Sequence, residues 1–189
     1  YVYLGTNNPP TNMVNGTSQT ATSYNHPTDF AYSTTYYWQI VPYNNFGNAA
    51  NCPVWQFTTL ADPTVNTYPY VQNFDTLTPP ALPLGWTALN ANNDPYTWET
   101  YAGNFDTDPN SVRVRYNDSI AMDDWLITPP LHLTQNTPYQ LSFAYRAASA
   151  SYPEALSAYW GTSPNPAGLT NQLFTNTNVI NATYIQVSE

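Results

Sequence analysis

The chain has 189 residues, a formal net charge of −9 and only 8% charged side chains, with three Arg and no Lys set against twelve acids. That length is enough for two modest domains, each burying its own core. The acidic balance repels phosphate backbones and anionic lipid, and no run of about 18 apolar residues is available for a membrane span. Neither nucleic acid nor membrane insertion is therefore expected. With 23 Asn and 26 Thr but only three Glu, the surface is built from uncharged polar groups, and good polar helix formers are nearly missing. Seventeen Tyr, six Trp and 18 Pro in short apolar runs broken by turn residues predict an all-β protein, two β-sandwich modules in tandem.

In chain order, the first expected strands are 1–5, 35–43 and 54–59, separated by Asn-, Pro- and Gly-bearing loops. In the middle one Tyr36, Trp38 and Ile40 recur at every second position, the alternation of a strand with one apolar face, while Tyr37, Gln39 and Val41 form the other. Residues 61–69, ADPTVNTYP, carry two Pro and no apolar period, and read as a short stiff linker. Further strands are expected at 112–116, 119–127, 139–145, 155–160 and 184–187. The clearest is Tyr139, Leu141, Phe143 and Tyr145, whose alternate residues form a wet face. The domains are thus drawn as 1–60 and 70–189. Starting at Tyr1 with neither an initiator Met nor a signal segment, the chain reads as an internal piece of a longer protein. Cys52, the only cysteine, is expected as a buried small apolar thiol.

Two resemblances bear on these modules. The segment TTYYWQIVPYNNFGN followed by CPVWQFTT resembles the last strands of a fibronectin type III module, which implies a corner role for Tyr36 and core positions for Trp38, Ile40, Trp55 and Phe57. The motifs NFDTLTPPALPLGWTALNANNDPYTWE, MDDWLITPPLHL, PYQLSFAYRA and EALSAYWGTSPNP, in that order, are similar to the cleaved-adhesin family. Those jelly-roll modules, akin in outline to MAM domains, occur in secreted haemagglutinins and gingipain-like proteins of Bacteroidota. The chain has Asp75 where family members often have Glu, and the resemblance implies that the family's terminal strands, with a further acidic motif, would lie beyond Glu189.

Hard cations want several oxygen ligands gathered by loops, and Asp75, Asn90, Asn92, Asn93 and Asp94 are candidates. The cleaved-adhesin resemblance implies a structural Ca2+ between Asp75 and the 92–98 region, with Asp75, Asn92 and Asp94 as the chosen ligands. Turn chemistry competes with this, because Asn and Asp populate loops without any metal. Asp106 and Asp108 read as a solvated loop, and Asp123 and Asp124 as a scaffold segment at a strand entrance. Arg113 and Arg115 leave one face and are expected to pair with nearby acids.

No catalytic residues are predicted. His26 and His132 have no nucleophile at a recognisable spacing, and neither a GxSxG elbow nor a phosphate-binding glycine loop is present. Aromatic rings in loops offer a different route, since Tyr and Phe stack on sugars or anchor protein contacts. Tyr101, Phe105 and Tyr152 are the chosen ligand-binding residues, with Tyr116 and Tyr159 beside them and ordinary core packing as the competing use. Asp75-Thr76-Leu77 and Asp118-Ser119-Ile120 resemble the O-glycosylation acceptor of Bacteroidota, which implies sugars on Thr76 and Ser119.

The expected function is a non-enzymatic adhesion or binding module of a secreted or cell-surface bacterial protein, taking a glycan or an extracellular protein. Two alternatives stand beside it. One is a structural repeat of a stalk or filament, partnered by neighbouring copies through strand edges. The other is an accessory region of a longer secreted protease or glycoside hydrolase.

Overall fold

The computed structural model describes residues 1–189 and contains strands, turns and bends but no helix. It divides into two compact units, Tyr1–Asp62 and Pro63–Glu189.

The first unit holds β1 (Val2–Gly5), β2 (Val14–Thr17), β3 (Thr35–Ile40), the short hairpin β4 (Tyr43–Asn44) and β5 (Gly47–Asn48), and β6 (Val54–Thr58). Four of these make one antiparallel sheet in the order β2-β1-β3-β6. Its register aligns Val14, Leu4, Trp38 and Trp55 in one row across all four strands, with Val2 opposite Ile40 and Tyr36 opposite Phe57. Directly paired residues share a face, so the expected alternation holds and one side of the sheet is apolar except at Thr17, which pairs with Val2.

Burial along that side is uneven. Val2, Leu4, Val14 and Tyr36 form the buried cluster, whereas Trp38, Ile40, Trp55 and Phe57, expected as core, remain partly exposed, Trp55 at 56%. The reason is cover. The loop between β2 and β3 sets the Phe30 ring 4.6 Å from Tyr36 and 5.4 Å from Phe57, and the Tyr36 hydroxyl accepts from the Ala31 N–H at 2.9 Å. Trp38 and Trp55 cover each other instead, their rings stacked at 6.1 Å. Cys52 is only half-buried, its thiol 3.6 Å from the Ala49 carbonyl.

The second unit contains β7 (Thr87–Asn90), β8 (Glu99–Ala102), β9 (Asn110–Arg113), β10 (Asp124–Ile127), β11 (Ser142–Tyr145), β12 (Glu154–Trp160), β13 (Asn171–Val179) and β14 (Ile185–Ser188). They pair as four separate two-stranded antiparallel ladders, β7 with β10, β8 with β9, β11 with β14 and β12 with β13. The expected strands 119–127 and 139–145 shorten to four residues each, both from their N-terminal ends, with β10 starting at Asp124 and β11 at Ser142. Pro138, which lacks the N–H a ladder needs, stands ahead of the second. Residues 63–69, placed in the linker by sequence, belong to this unit. Val65 forms a parallel bridge with Leu131, donating to Pro130 and accepting from His132, both at 2.9 Å.

Few apolar side chains are buried here, namely Ile127, Ala147 and Val179 with Pro83 and Pro129. Phe143, Tyr145 and Phe174 join β11 to β13 with ring centroids 5.4 to 6.1 Å apart, and Asn176 donates to the Tyr145 hydroxyl at 2.9 Å. Polar side chains do the remaining work. Buried Asn110 donates through its amide to the carbonyls of Phe74, Asp75 and Leu77 at 3.0, 3.4 and 2.9 Å. Buried Thr100 donates to Ala81 at 2.6 Å and buried Ser111 to Gly103 at 2.8 Å. Loops without regular partners are thereby tied to the β8–β9 ladder.

Candidate metal centre and ligand-facing loops

At the open end of the β7–β10 ladder, the last residue of one strand, Asn90, is directly opposite the first residue of the other, Asp124. The chain then turns through 91–98. Asn92 caps the turn, accepting from the Asp94 N–H at 3.4 Å and donating to the Ala121 carbonyl at 2.8 Å, while Asn93 takes a positive φ of 56°, which Asn tolerates. Asp94 is only 9% exposed, and its Oδ1 accepts from the Tyr96 N–H at 2.7 Å.

Both amide hydrogens of Asn90 are committed to the carbonyls of Asp94 and Tyr96, at 2.6 and 2.9 Å. This fixes the amide orientation and leaves its oxygen without a donor. Asn90 Oδ1, Asp94 Oδ2, Thr97 Oγ1 and both carboxylate oxygens of Asp124 are buried with no hydrogen-bond partner, and the chain has no other buried side-chain atom in that state. Each such group costs about 1–3 kcal/mol when left unpaired, so five in one patch is a large local penalty. Burial pushes the Asp124 carboxyl above the ordinary carboxylate range, and Asp94 and then Asp123 add to the rise. The Thr97 hydroxyl is near enough to temper it without closing a well-formed hydrogen bond.

The patch is all oxygen, two carboxylates with one amide and one hydroxyl, the donor set of a hard cation. It is not a grouping of three or more His, Cys, Asp or Glu, and none occurs elsewhere in the chain. Of the ligands chosen from sequence, Asp94 lies in the patch. Asn92 spends its side chain on the turn. Asp75 is elsewhere: both of its carboxylate oxygens accept from the Thr107 hydroxyl, at 3.4 and 3.2 Å. Asp124, read from sequence as scaffold, supplies two of the five oxygens, and Thr97 was not singled out. The visible signal was the acid pair before Trp125, but Asp123 is taken by the Trp125 indole N–H at 2.8 Å. Only the strand register shows that Asp124 is the one facing Asn90.

The aromatic candidates separate in the same way. Tyr101 is covered by Arg113, whose guanidinium carbon is 3.6 Å from the ring centroid while pairing with Glu99 at 2.9 Å. Arg115 lies 4.4 Å over Tyr96, so the expected pairing with an acid is found for Arg113 alone. Phe105 is 42% exposed on a loop, and Tyr152 is 74% exposed. Tyr152 lines a cleft of about 290 Å3 together with Tyr116, Asp118 and Glu154. Tyr159 packs on Trp125 at 5.8 Å. Thr76 and Ser119 are both exposed, accessible to a modifying enzyme. No helix is long and apolar enough to cross a membrane. No family model, curated protein or solved structure matches the chain.

Proposed function

We propose that this chain is a non-enzymatic binding region of a secreted or cell-surface protein, whose second unit uses a calcium-class cation to hold a ligand-presenting loop. The observation that carries this is the set of five buried, unpartnered oxygens on Asn90, Asp94, Thr97 and Asp124. Calcium takes roughly six to eight oxygens and accepts mixed carboxylate, amide and water ligands. Bound there, it supplies positive charge to two carboxylates that have no cationic partner, and locks 91–98 onto the β7–β10 ladder. An uncharged, Asn- and Thr-rich surface and the motifs similar to cleaved adhesins favour adhesion to a glycan or an extracellular protein. The exposed ladder edges favour a stalk made of neighbouring copies as the second reading.

The test is calcium titration of the whole chain by calorimetry, with melting followed in calcium and in chelator. Saturable binding that raises the melting midpoint, and that Asp124→Asn or Asp94→Asn abolishes, is the expected result. Equal midpoints in calcium and chelator, with no heat of binding, would overturn the cation centre. An array of glycans and extracellular proteins, probed in both conditions, reads the adhesion part separately. A silent array transfers the function to the stalk.

A further inference from the structure

Arg113 shows how this chain satisfies a cation: a carboxylate, Glu99, at 2.9 Å and a tyrosine face, Tyr101, at 3.6 Å. The cleft lined by Tyr116, Asp118, Tyr152 and Glu154 offers the same residue types, two acids and two tyrosines. Tyr116 follows β9 and is 60% exposed, and Tyr152 precedes β12. Asp118 sits in a turn fixed by Asn117, whose Oδ1 accepts from the Ser119 and Ile120 N–H groups at 2.8 and 3.1 Å. Glu154 opens β12, held opposite Val179. Neither carboxylate forms a hydrogen bond or an ion pair, since Arg113 with Glu99 is the chain's salt bridge.

No internal cation is free to fill the cleft. Lys is missing, and the three arginines are placed elsewhere: Arg113 with Glu99, Arg115 over Tyr96, and Arg146 donating to the Ala147 carbonyl at 3.1 Å. The four lining residues are two tyrosines and two acids, and among their side chains only the phenol hydroxyls can donate. A sugar's hydroxyls also donate to carboxylates, but they leave both negative charges unmet. An alkylammonium or guanidinium needs what is present: carboxylates for the charge, rings for cation–π contact and for the methylene stem.

We infer that the cleft of Tyr116, Asp118, Tyr152 and Glu154 binds the basic side chain of a protein partner, an arginine or lysine presented on an exposed segment. This names a partner class for the binding role proposed above and rests on that reading, but it uses none of the cation-centre residues.

The experiment titrates the full chain with a short neutral peptide carrying one central Arg, and with the same peptide carrying citrulline, followed by NMR shifts or calorimetry. Spermidine and arginine amide serve as free-amine probes. Saturable binding of the Arg peptide is expected, at least about tenfold weaker for citrulline, weakened by salt, and lost in Asp118→Asn/Glu154→Gln and in Tyr152→Ala. These residues are at the surface, and circular dichroism checks that each variant folds. Spermidine binding equal to that of the peptide would reassign the cleft to free amines and overturn the protein-partner claim. Equal affinity for Arg and citrulline peptides, no binding of either, or binding untouched by the carboxylate variants would overturn the cation site. A glycan hit on the array that survives those variants would leave adhesion standing while removing the cleft from it.

Discussion

The two units solve the same problem of ordering loop-rich, helix-free chain by different chemistry. In the first, Val2, Leu4, Val14 and Tyr36 are the buried apolar cluster on one face of a continuous sheet, with Pro10 buried in the loop between β1 and β2. In the second, Asp94, Thr100, Asn110 and Ser111 are buried alongside Ile127, Ala147, Val179 and two prolines, Pro83 and Pro129. Apolar burial is non-directional and tolerates loose cover, as Trp38 and Trp55 show. Buried polar groups are directional, and each must find its partner or carry the full desolvation cost. A unit held by polar clamps can therefore position loops finely, and it is also the unit where an unmet demand for positive charge, at Asp94 and Asp124, becomes visible.

The largest effect is expected from the apolar side of this contrast. Leu4→Ala removes a side chain in the centre of the buried cluster and should cost about 3 kcal/mol. Hydrogen exchange should then show loss of protection in β1, β3 and β6 while the β12–β13 ladder keeps its own. Simultaneous loss in both units would break the comparison, because it would make them one cooperative body.

Asn110→Ala tests the polar side. It strips one donor group from three carbonyls and should destabilise the second unit by about 2 kcal/mol, with faster exchange around residues 74–77 and no change in the first unit. An unchanged melting midpoint would mean that water replaces the clamp at no cost. A smaller effect, about 1 kcal/mol, is expected for Tyr36→Phe, which keeps the ring in the cluster and deletes only the acceptor for Ala31. If it proved as harmful as Leu4→Ala, the first unit would depend on its polar tie as much as on its apolar face.

The smallest effect sharpens the comparison through pH. Asp124 has a raised carboxyl pKa in the folded chain, so between its ordinary and its raised value the folded state binds more protons than the unfolded one. In chelator, this group therefore favours the folded state below its ordinary range, and that contribution declines as pH rises through the folded value. In calcium the ordering reverses, since protons compete with the cation and binding weakens as pH falls. Melting curves across the carboxylate range, with and without calcium, check both signs, and Asp124→Asn should flatten the chelator series.

The all-β class and the faces of the clearest strands were determined by sequence, because alternation is a local property: Tyr36, Trp38 and Ile40 had to share a side whatever covered them. Asp94 was readable as a ligand candidate for a related reason, its place in an Asn-rich turn. Tertiary structure decided the rest. It left Trp55 half open and β13, with its alternating Leu173, Thr175 and Thr177, was recognisable only through its pairing with β12. Tyr101 was covered by an arginine on the neighbouring strand, while Tyr116 and Tyr152, 36 positions apart, were brought to one cleft. Asp124 was placed among the buried unpartnered oxygens and Asp75 beside Thr107 because strand register and loop packing choose which oxygens meet, and neither is encoded in the spacing of the residues themselves.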